Sequence, residues 1–285
     1  MAIGVRAIKG RIGNIENIRQ ITKAMNAIAM TKVTRMKRRL GEGRPYQEAL
    51  GSFLAALLAQ MPETTEPHPL TVVNGSPHVG ILVLNSDRGL CGRFKGDLNK
   101  RGYDLLAELD EKGKVIAGGE KARTYFARQR VELIRSYVRV YEDPSRSFAG
   151  EMASDLISLF LNGKVGRVVL VYMRFVSDLA QRVTVEDLLP VRIEPTGTET
   201  LIEPGAPQLL DFALPMYVEG KLFSALLETK TSEHAVRRQA MKSATDNAED
   251  LLKALTRSYN KARQQSITRE IADIVGGAEA LRERR

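Results

Sequence analysis

The residues best suited to chemistry lie in a glycine-containing loop, Asn85 to Gly92, that follows the apolar run Val79 to Leu84. In an open α/β sheet, nucleotides often bind where such a strand ends. However, the spacing Gly89-x-x-Gly92 lacks the Gly-x-Gly-x-x-Gly fingerprint, and the sequence contains no Gly-x-x-x-x-Gly-Lys-Ser/Thr phosphate loop. We therefore expect this loop to form a structural turn and a protein contact rather than a nucleotide site.

The other reactive side chains are too dispersed to form a site. The histidines His68, His78 and His234 are far apart in the sequence, and Cys91 is the only cysteine, so it has no second thiol for a metal site or an internal disulfide. Acidic residues occur in ordinary helical charge patterns, and no nucleophile has an evident base. We expect neither intrinsic catalysis nor a bound cofactor or metal.

The elements that position these residues alternate in type through the middle of the chain. Short β-branched apolar runs are typical of buried strands, and they occur at Val79–Leu84, Val115–Ala117, Val131–Ile134 and Val168–Val171, with Gln181–Val185 as a possible edge strand. Helix-like stretches separate them at Gly92–Glu111, Gly119–Gln129 and Ser147–Asn162. This alternation predicts a central open α/β, Rossmann-like domain over residues 78–192.

The two ends of the chain predict long helices, over residues 1–60 and 208–285, joined to the central domain by proline-containing linkers over 61–77 and 193–207. Apolar residues at steps of three and four predict a packing stripe on the first helix: Ile8, Ile12, Ile15, Ile18, Ile21, Met25 and Ile28. The two helices can bury such stripes by pairing as an antiparallel coiled coil. The predicted fold is therefore an α+β composite of this coiled coil and the α/β domain.

The predicted coiled coil is not robust by itself. Glycines interrupt its first helix, and its last helix uses small residues where leucine would bury more area: Ala235, Ala240, Ala244 and Ala248. We therefore expect an enclosing partner. Gly41 and Gly43 leave open whether the first helix is continuous as far as Arg44-Pro45-Tyr46.

Positive charge is concentrated in the first helix. Residues 1–45 hold eleven Lys or Arg against Glu16 and Glu42, a balance of +9 that equals the formal charge of the whole chain. A basic helix favours an acidic partner, which could be nucleic acid, anionic lipid or an acidic protein loop. The run Lys32 to Arg39 has few aromatic residues nearby, so base stacking is not supported and an acidic protein loop fits better.

Four stretches of the sequence stand out as a set: Ile21-Thr22-Lys23-Ala24-Met25 with Arg44-Pro45-Tyr46, Ser86-Asp87-Arg88-Gly89-Leu90-Cys91-Gly92, Ser232-Glu233 through Ala244-Thr245-Asp246-Asn247, and Ile267-Thr268-Arg269-Glu270-Ile271-Ala272-Asp273 with Gly277-Ala278. Together they resemble the ATP synthase gamma subunit family. The resemblance spans the chain in the family's order. It implies the non-catalytic central rotor shaft of a bacterial F-type enzyme, which couples proton-driven rotation of a membrane ring to the conformations of catalytic β subunits.

The resemblance also implies contact residues. Arg263 and Gln264 match positions that hydrogen-bond a loop of a β subunit, and Thr268 and Glu270 match supporting positions. In the same family, nucleotide and magnesium belong to the α and β subunits, so no cofactor is implied for this chain.

Two further groups of residues follow from the resemblance. Lys23 and Met25 match the place where the basic first helix meets an acidic lever of a β subunit, and Ile202 and Glu203 match a segment that touches the polar loops of the ring of c subunits. The epsilon subunit is a further implied partner. The implied location is the cytoplasmic face of the bacterial plasma membrane, held there only through the complex.

Two other functions remain open from the residues alone. The first is a coiled-coil adaptor that binds nucleic acid or an anionic membrane through residues 1–45, and the second is a degenerate nucleotide-binding enzyme built on the middle domain. Copurification distinguishes the three hypotheses. A rotor shaft should copurify with catalytic ATPase subunits and without nucleic acid, an adaptor with nucleic acid or lipid, and an enzyme with a bound nucleotide.

Overall fold

A computed structural model describes residues 2–61, 65–139, 143–196 and 205–282 of the chain. It contains two long terminal helices, α1 (Ala2–Ala59) and α5 (Ala206–Arg282), and a central α/β domain. The domain's elements, in chain order, are β1 (Val79–Leu84), α2 (Phe94–Leu109), β2 (Gly113–Gly118), α3 (Glu120–Arg128), β3 (Leu133–Tyr137), α4 (Arg146–Leu161), β4 (Arg167–Phe175) and β5 (Gln181–Leu189). A short 3-10 helix, Pro69–Thr71, precedes β1.

The five strands form one sheet in the order β3-β2-β1-β4-β5. β1 pairs in parallel with both β2 and β4, β2 pairs in parallel with β3, and β5 is antiparallel to β4 at the edge. This order confirms the predicted Rossmann-like domain and its edge strand, since helical crossovers between parallel strands produce it.

Helices cover both faces of the sheet. On one face, α2 and α3 pack with side chains such as Phe94, Leu98 and Phe126. On the other face, α4 packs together with the end of α1 and the start of α5, through residues such as Phe160, Leu54 and Leu214. Two-sided burial explains why the strands read as continuous apolar runs.

The predicted start of the third strand is wrong. The apolar run Val131–Ile134 was expected to be extended, but β3 begins at Leu133. The amide of Val131 donates to the carbonyl of Phe126 (3.0 Å), and Arg130 has a φ of +58°. Val131 therefore closes the end of α3, because a left-handed residue followed by a return hydrogen bond is a common helix ending.

Both terminal helices continue through residues that usually interrupt helices. Pro45 lies inside α1 and Pro215 inside α5, and α1 is continuous through Gly41 and Gly43. A proline ring crowds the carbonyl four residues earlier, which for Pro45 belongs to Gly41, whose backbone adjusts at little cost. At Gly220 the amide oxygen of Gln47 occupies the place that a Cβ would take, so this glycine accommodates a neighbouring side chain.

The chain divides into two compact units, residues 29–237 and residues 1–28 with 238–285. The second unit, called the terminal unit below, is an antiparallel helix pair. In it the Thr245 hydroxyl donates to Thr22 Oγ1 (2.9 Å), and Arg19 Nη1 donates to Glu249 Oε1 (3.4 Å). Moving three residues along each helix from the threonine pair places Met25 opposite residue 242, within a turn of Arg238 and Met241.

The predicted stripe on α1 is only partly correct. Ile8, Ile12 and Ile15 are half-buried, whereas Ile18, Ile21 and Ile28 are 48%, 59% and 58% exposed. Two successive steps of three residues, from 15 to 18 and 21, rotate these positions off the packed face of the helix. Alternating steps of four and three residues stay on that face. The packed positions continue instead through Arg19, Thr22 and Asn26. After residue 15, polar side chains therefore occupy the helix contact, and Ile18, Ile21 and Ile28 face outward.

Candidate subunit-contact surface

The clearest candidate contact surface is the exposed face of α5 in the terminal unit. At about 100° per residue, residues 263, 264, 267, 268, 270, 271 and 274 fall within a sector of about 160° on this helix. Ile267, Ile271 and Ile274 form a ridge within that sector, and they are 44%, 57% and 71% exposed. We call this sector the isoleucine face. Exposed apolar side chains in one contiguous row mark a contact with another molecule.

The four polar residues implied at this end of α5 belong to the isoleucine face. Arg263 and Gln264 are exposed, the hydroxyl of Thr268 donates to the Gln264 carbonyl (3.0 Å), and Glu270 accepts from Ser266 (3.4 Å). These contacts are local to the helix, so the outward amide and guanidinium groups are not committed to packing within the chain. The structure therefore brings all four residues to one exposed surface.

The opposite side of the same segment faces α1. Ala262, Gln265 and Arg269 line a groove of about 360 Å³ with Gly4 and Val5 of the first helix. Gly4 and Ala262 are small residues on its two sides, one on each helix. The isoleucine ridge thus points away from α1, while Glu270, at the edge of the face, also lines the groove.

Lys23 and Met25 are not equivalent in the structure. Lys23 is exposed, whereas Met25 is half-buried beside the packed positions of the terminal unit. A lysine at position 25 would therefore place its ammonium at the edge of the helix contact, next to the exposed Lys23. Ile202 and Glu203 lie outside the described residues.

Much of the positive charge on α1 is already paired within residues 29–237. Arg35 and Arg39 both bind the carboxylate of Asp143, and Arg39 Nη1 lies 2.6 Å from Asp143 Oδ1. Burial alone would raise the pKa of Asp143, but the two guanidinium groups outweigh it and hold the pKa below its ordinary value. Lys37 Nζ lies 3.2 Å from Asp178 Oδ1. The acidic loops that meet Arg35, Lys37 and Arg39 thus belong to the chain itself.

A buried ionic cluster on α5 was not predicted from the sequence. Glu233 lies 2.7 Å from Lys230 Nζ and 2.6 Å from Arg237 Nη2, and all three side chains are less than a tenth exposed. Burial favours a higher pKa for Glu233, but Lys230 and Arg237 lower it below its ordinary value. Burial also lowers the pKa of His234 to about 4, against the opposing effect of Glu233. The sequence shows the i, i+3 spacing of Lys230 and Glu233 and the i, i+4 spacing of Glu233 and Arg237, but such spacings are usual for exposed ion pairs on a helix surface.

This cluster holds the glycine-containing loop against α5. Arg237 Nη2 donates to the Gly89 carbonyl (3.2 Å), and the Arg237 Nη1 group pairs with His234 Nδ1 (3.1 Å). Within the loop, Asp87 Oδ1 accepts from the backbone amides of Glu120 (2.9 Å) and Arg139 (3.2 Å). The carboxylate of Asp87 therefore occupies the N-terminus of α3, where the helix dipole favours a negative charge.

The described helices contain none long and apolar enough to cross a membrane. The arrangement of two long helices around a Rossmann-like domain also occurs in solved ATP synthases. A chain of the Euglena gracilis mitochondrial ATP synthase, from its OSCP/F1/c-ring structure in rotational state 3, matches with a TM-score of 0.74 at 20% identity and covers 99% of this chain and 95% of that one. A chain of the rotor structure of the same enzyme, in rotational state 1, matches with a TM-score of 0.67 at 18% identity over 94% of this chain. The fold is therefore that of an ATP synthase chain.

Sequence comparison gives the family. The family model for ATP synthase matches residues 4–281. A protein of Desulfitobacterium hafniense named ATP synthase gamma chain is 38% identical over 278 residues, which cover 97% of this chain and 98% of that protein. The protein of that name from Mycobacterium tuberculosis H37Rv is 38% identical over 308 residues and all of both chains. The chain belongs to the ATP synthase gamma chain family.

Proposed function

We propose that this chain is the central rotor shaft of a bacterial F-type ATP synthase, a non-catalytic subunit that couples rotation of the membrane ring to the catalytic β subunits. Membership of the gamma chain family supports this role, as does the fold shared with a rotor structure. The observation that carries the proposal is the isoleucine face, because an exposed apolar ridge flanked by polar side chains requires an enclosing partner.

The mechanism follows from the one-sidedness of that surface. A shaft that presents isoleucines and hydrogen-bonding groups on one side, and a groove between its two helices on another, offers a different contact to each surrounding subunit. Coupling between sites requires such a difference in contact free energy between states. Rotation would then favour a different conformation in each β subunit in turn, with no bond broken on this chain.

Three groups of residues would contact the other subunits. Arg263 and Gln264 would hydrogen-bond a loop of a β subunit, with Thr268 and Glu270 supporting them, and Lys23 and Met25 would meet its acidic lever. Ile202 and Glu203 would meet the ring of c subunits, and the epsilon subunit would join the assembly. The chain would lie at the cytoplasmic face of the plasma membrane through this complex.

The adaptor alternative is weakened by the pairing of the basic helix. Arg35, Lys37 and Arg39 bind Asp143 and Asp178 of the same chain, so a nucleic acid or anionic membrane would have to displace these ion pairs. The nucleotide-binding alternative is weakened by the sequence of the loop after β1, which lacks the Gly-x-Gly-x-x-Gly fingerprint.

Reconstitution of the enzyme with replaced isoleucines tests the proposal. The variant Ile267→Ser with Ile271→Ser removes much of the ridge, and each buried isoleucine contributes about 1.5–3 kcal/mol at full burial. We expect wild-type chain to copurify with α and β subunits and to support ATP-driven proton pumping, and the double variant to lose pumping. The control is Leu179→Ser, which replaces an 83% exposed leucine of the β4–β5 hairpin.

Two outcomes would overturn the rotor assignment. One is a wild-type chain that copurifies with nucleic acid or lipid and not with the catalytic subunits. The other is a double isoleucine variant that pumps as well as the Leu179 control, because the ridge would then have no partner in the complex.

A further inference from the structure

The hydrogen bonds of His234 determine which of its ring nitrogens carries the proton. Its Nδ1 atom lies 3.1 Å from Arg237 Nη1. A guanidinium group donates hydrogen bonds and cannot accept them, so Nδ1 is the acceptor and the neutral ring carries its proton on Nε2. Nε2 is shielded from solvent and has no hydrogen-bond partner among the described residues. A second proton can therefore bind only at Nδ1, where the Arg237 guanidinium already lies.

The surroundings of His234 disfavour that second proton. The residue is 5% exposed. Burial lowers the pKa of His234 to about 4, and the carboxylate of Glu233 opposes that effect. Three cations add to it, namely Arg237 and Lys230 on α5 and Lys32 on α1. Protonation is therefore favourable only if the ring separates from these cations or gains contact with water.

The charged residues of the loop after β1 do not offset these cations. The carboxylate of Asp87 accepts from the backbone amides of Glu120 and Arg139 at the N-terminus of α3. Arg88 is exposed. The loop meets the ionic cluster on α5 through an uncharged group, the Gly89 carbonyl.

Arg237 connects His234 to that loop. Its Nη1 group donates to His234, while its Nη2 group donates to the Gly89 carbonyl (3.2 Å) and to Glu233 Oε1 (2.6 Å). One planar guanidinium group makes all three bonds, so their geometry is coupled. An arginine that moves away from a protonated His234 therefore also loses the Gly89 carbonyl.

The rest of the loop packs closely against α5. A Cβ at Gly92 would lie 3.3 Å from a methyl group of Val236. Cys91 is 1% exposed, and its Sγ atom lies 3.7 Å from Ser86 Oγ. The thiol of Cys91 is thus covered while the loop lies in this position, and it becomes accessible when the loop moves.

We propose that the His234–Arg237 pair is a pH-sensitive switch for the loop of residues 86–92. At neutral pH the pair holds the loop against α5, and a solvent proton that binds His234 Nδ1 breaks the bond from Arg237 and releases the loop. The switch does not depend on the rotor role, because all its groups belong to residues 29–237.

Proton linkage gives the direction and size of the effect. The pKa of His234 is about 4 with the loop held and returns to its ordinary 6.5 when the ring reaches water. Above about pH 6.5 both forms are neutral and the balance between them is constant, whereas a fall in pH below that value favours the released form. Between pH 7 and pH 5 the ratio of released to held loop should rise about twentyfold.

Labelling of Cys91 measures this ratio, since it is the only cysteine in the sequence and lies in the loop. The full-length chain is treated with a dithiodipyridine reagent at pH 7 and pH 5, and each rate is divided by that of N-acetylcysteine at the same pH. We expect the corrected rate to rise about twentyfold in the wild type and to stay constant in His234→Gln. A constant wild-type rate, or an equal rise in His234→Gln, would overturn the switch.

The matched control is His78→Gln, which removes a histidine before β1 that lies outside the cluster and should leave the wild-type response intact. Loss of the response in this variant as well would overturn the assignment to His234. Circular dichroism at both pH values confirms that each variant is folded.

A cysteine on the other side of the sheet separates loop release from global unfolding. Ala153→Cys in a Cys91→Ser background places the thiol on α4 at a position that is 3% exposed. Local openings cost less free energy than global unfolding, so Cys91 of the wild type should react at least about tenfold faster at pH 5 than this thiol. Equal rates would mean that Cys91 reacts only through global unfolding, and local release of the loop would be wrong.

Discussion

Two stretches of the same helix, α5, differ in which side chains they bury: one buries charged residues, and the other exposes apolar ones. Residues 229–235 are all buried, and they include the charged side chains of Lys230 and Glu233. Residues 267–275 are exposed, and they include three isoleucines and a valine. A helix in a self-contained protein would have the reverse distribution, with charges outside and isoleucines inside.

The first stretch has its partners within the chain, whereas the second stretch has an apolar surface that needs a partner from another subunit. In the first stretch, ion pairs and the Gly89 carbonyl satisfy the buried charges within the chain. In the second stretch, none of the described residues of the terminal unit covers the isoleucine ridge. Stability should therefore depend on the first stretch and assembly on the second, and each can be tested by changing one without the other.

The largest expected effect on stability comes from Glu233→Gln. This variant removes the buried carboxylate that Lys230 and Arg237 share, and breaking a buried ion pair from one side costs about 3–5 kcal/mol. Urea unfolding of the isolated chain should show that loss. The matched control is Glu249→Gln, which removes the partly exposed partner of Arg19 and should cost no more than about 1 kcal/mol. Equal losses in the two variants would contradict the contrast between the stretches.

A smaller effect is expected from acidification. His234 has a pKa of about 4 in the folded chain and an ordinary value of 6.5, so the unfolded chain takes up its proton first. A depressed histidine pKa leaves stability unchanged above about pH 6.5 and lowers it between about pH 6.5 and 4. The free energy of unfolding should therefore be about 2 kcal/mol lower at pH 5 than at pH 7 through this histidine.

The variant His234→Gln isolates this titration, since glutamine carries no proton in that range. Unfolding free energies of wild type and variant at pH 7 and pH 5 should differ in their pH dependence by the amount attributed to the histidine. The acidic groups that remain, including Glu233 with its lowered pKa, set the slope common to both proteins. Identical pH dependence in the two proteins would mean that His234 is not buried as the structure has it.

The sequence predicted the central domain well because each of its elements has a strong local signal. Buried strands such as β1 and β4 are uninterrupted apolar runs, and helices separate them. The start of β3 was missed because Val131 fits both an apolar strand and the hydrophobic end of a helix. Only the return hydrogen bond to Phe126 decides between them.

The helix contact was harder to predict, since apolar character was a poor guide to burial there. Ile18 and Ile21 are exposed while Thr22 is buried, so an apolar pattern selected the wrong side of α1. The internal partners of Arg35 and Arg39 were also invisible in the sequence, because Asp143 lies over a hundred residues away. The candidate contact residues on α5 came from the family resemblance, and their grouping on one face came from helix geometry.

The smallest expected effect on stability, and a large one on assembly, comes from Arg263→Ala with Gln264→Ala. Both side chains are exposed, and alanine is the best helix former, so the unfolding free energy of the isolated chain should change by less than about 0.5 kcal/mol. In the assembled enzyme the same substitutions would remove hydrogen bonds to the β-subunit loop. ATP synthesis in reconstituted vesicles should therefore fall well below wild type while thermal unfolding of the free chain stays unchanged. Arg257→Ala on the same helix, also exposed and six residues before Arg263, controls for loss of charge alone. A variant that unfolds more easily yet synthesises ATP normally would assign these two residues to the helix pair rather than to the partner.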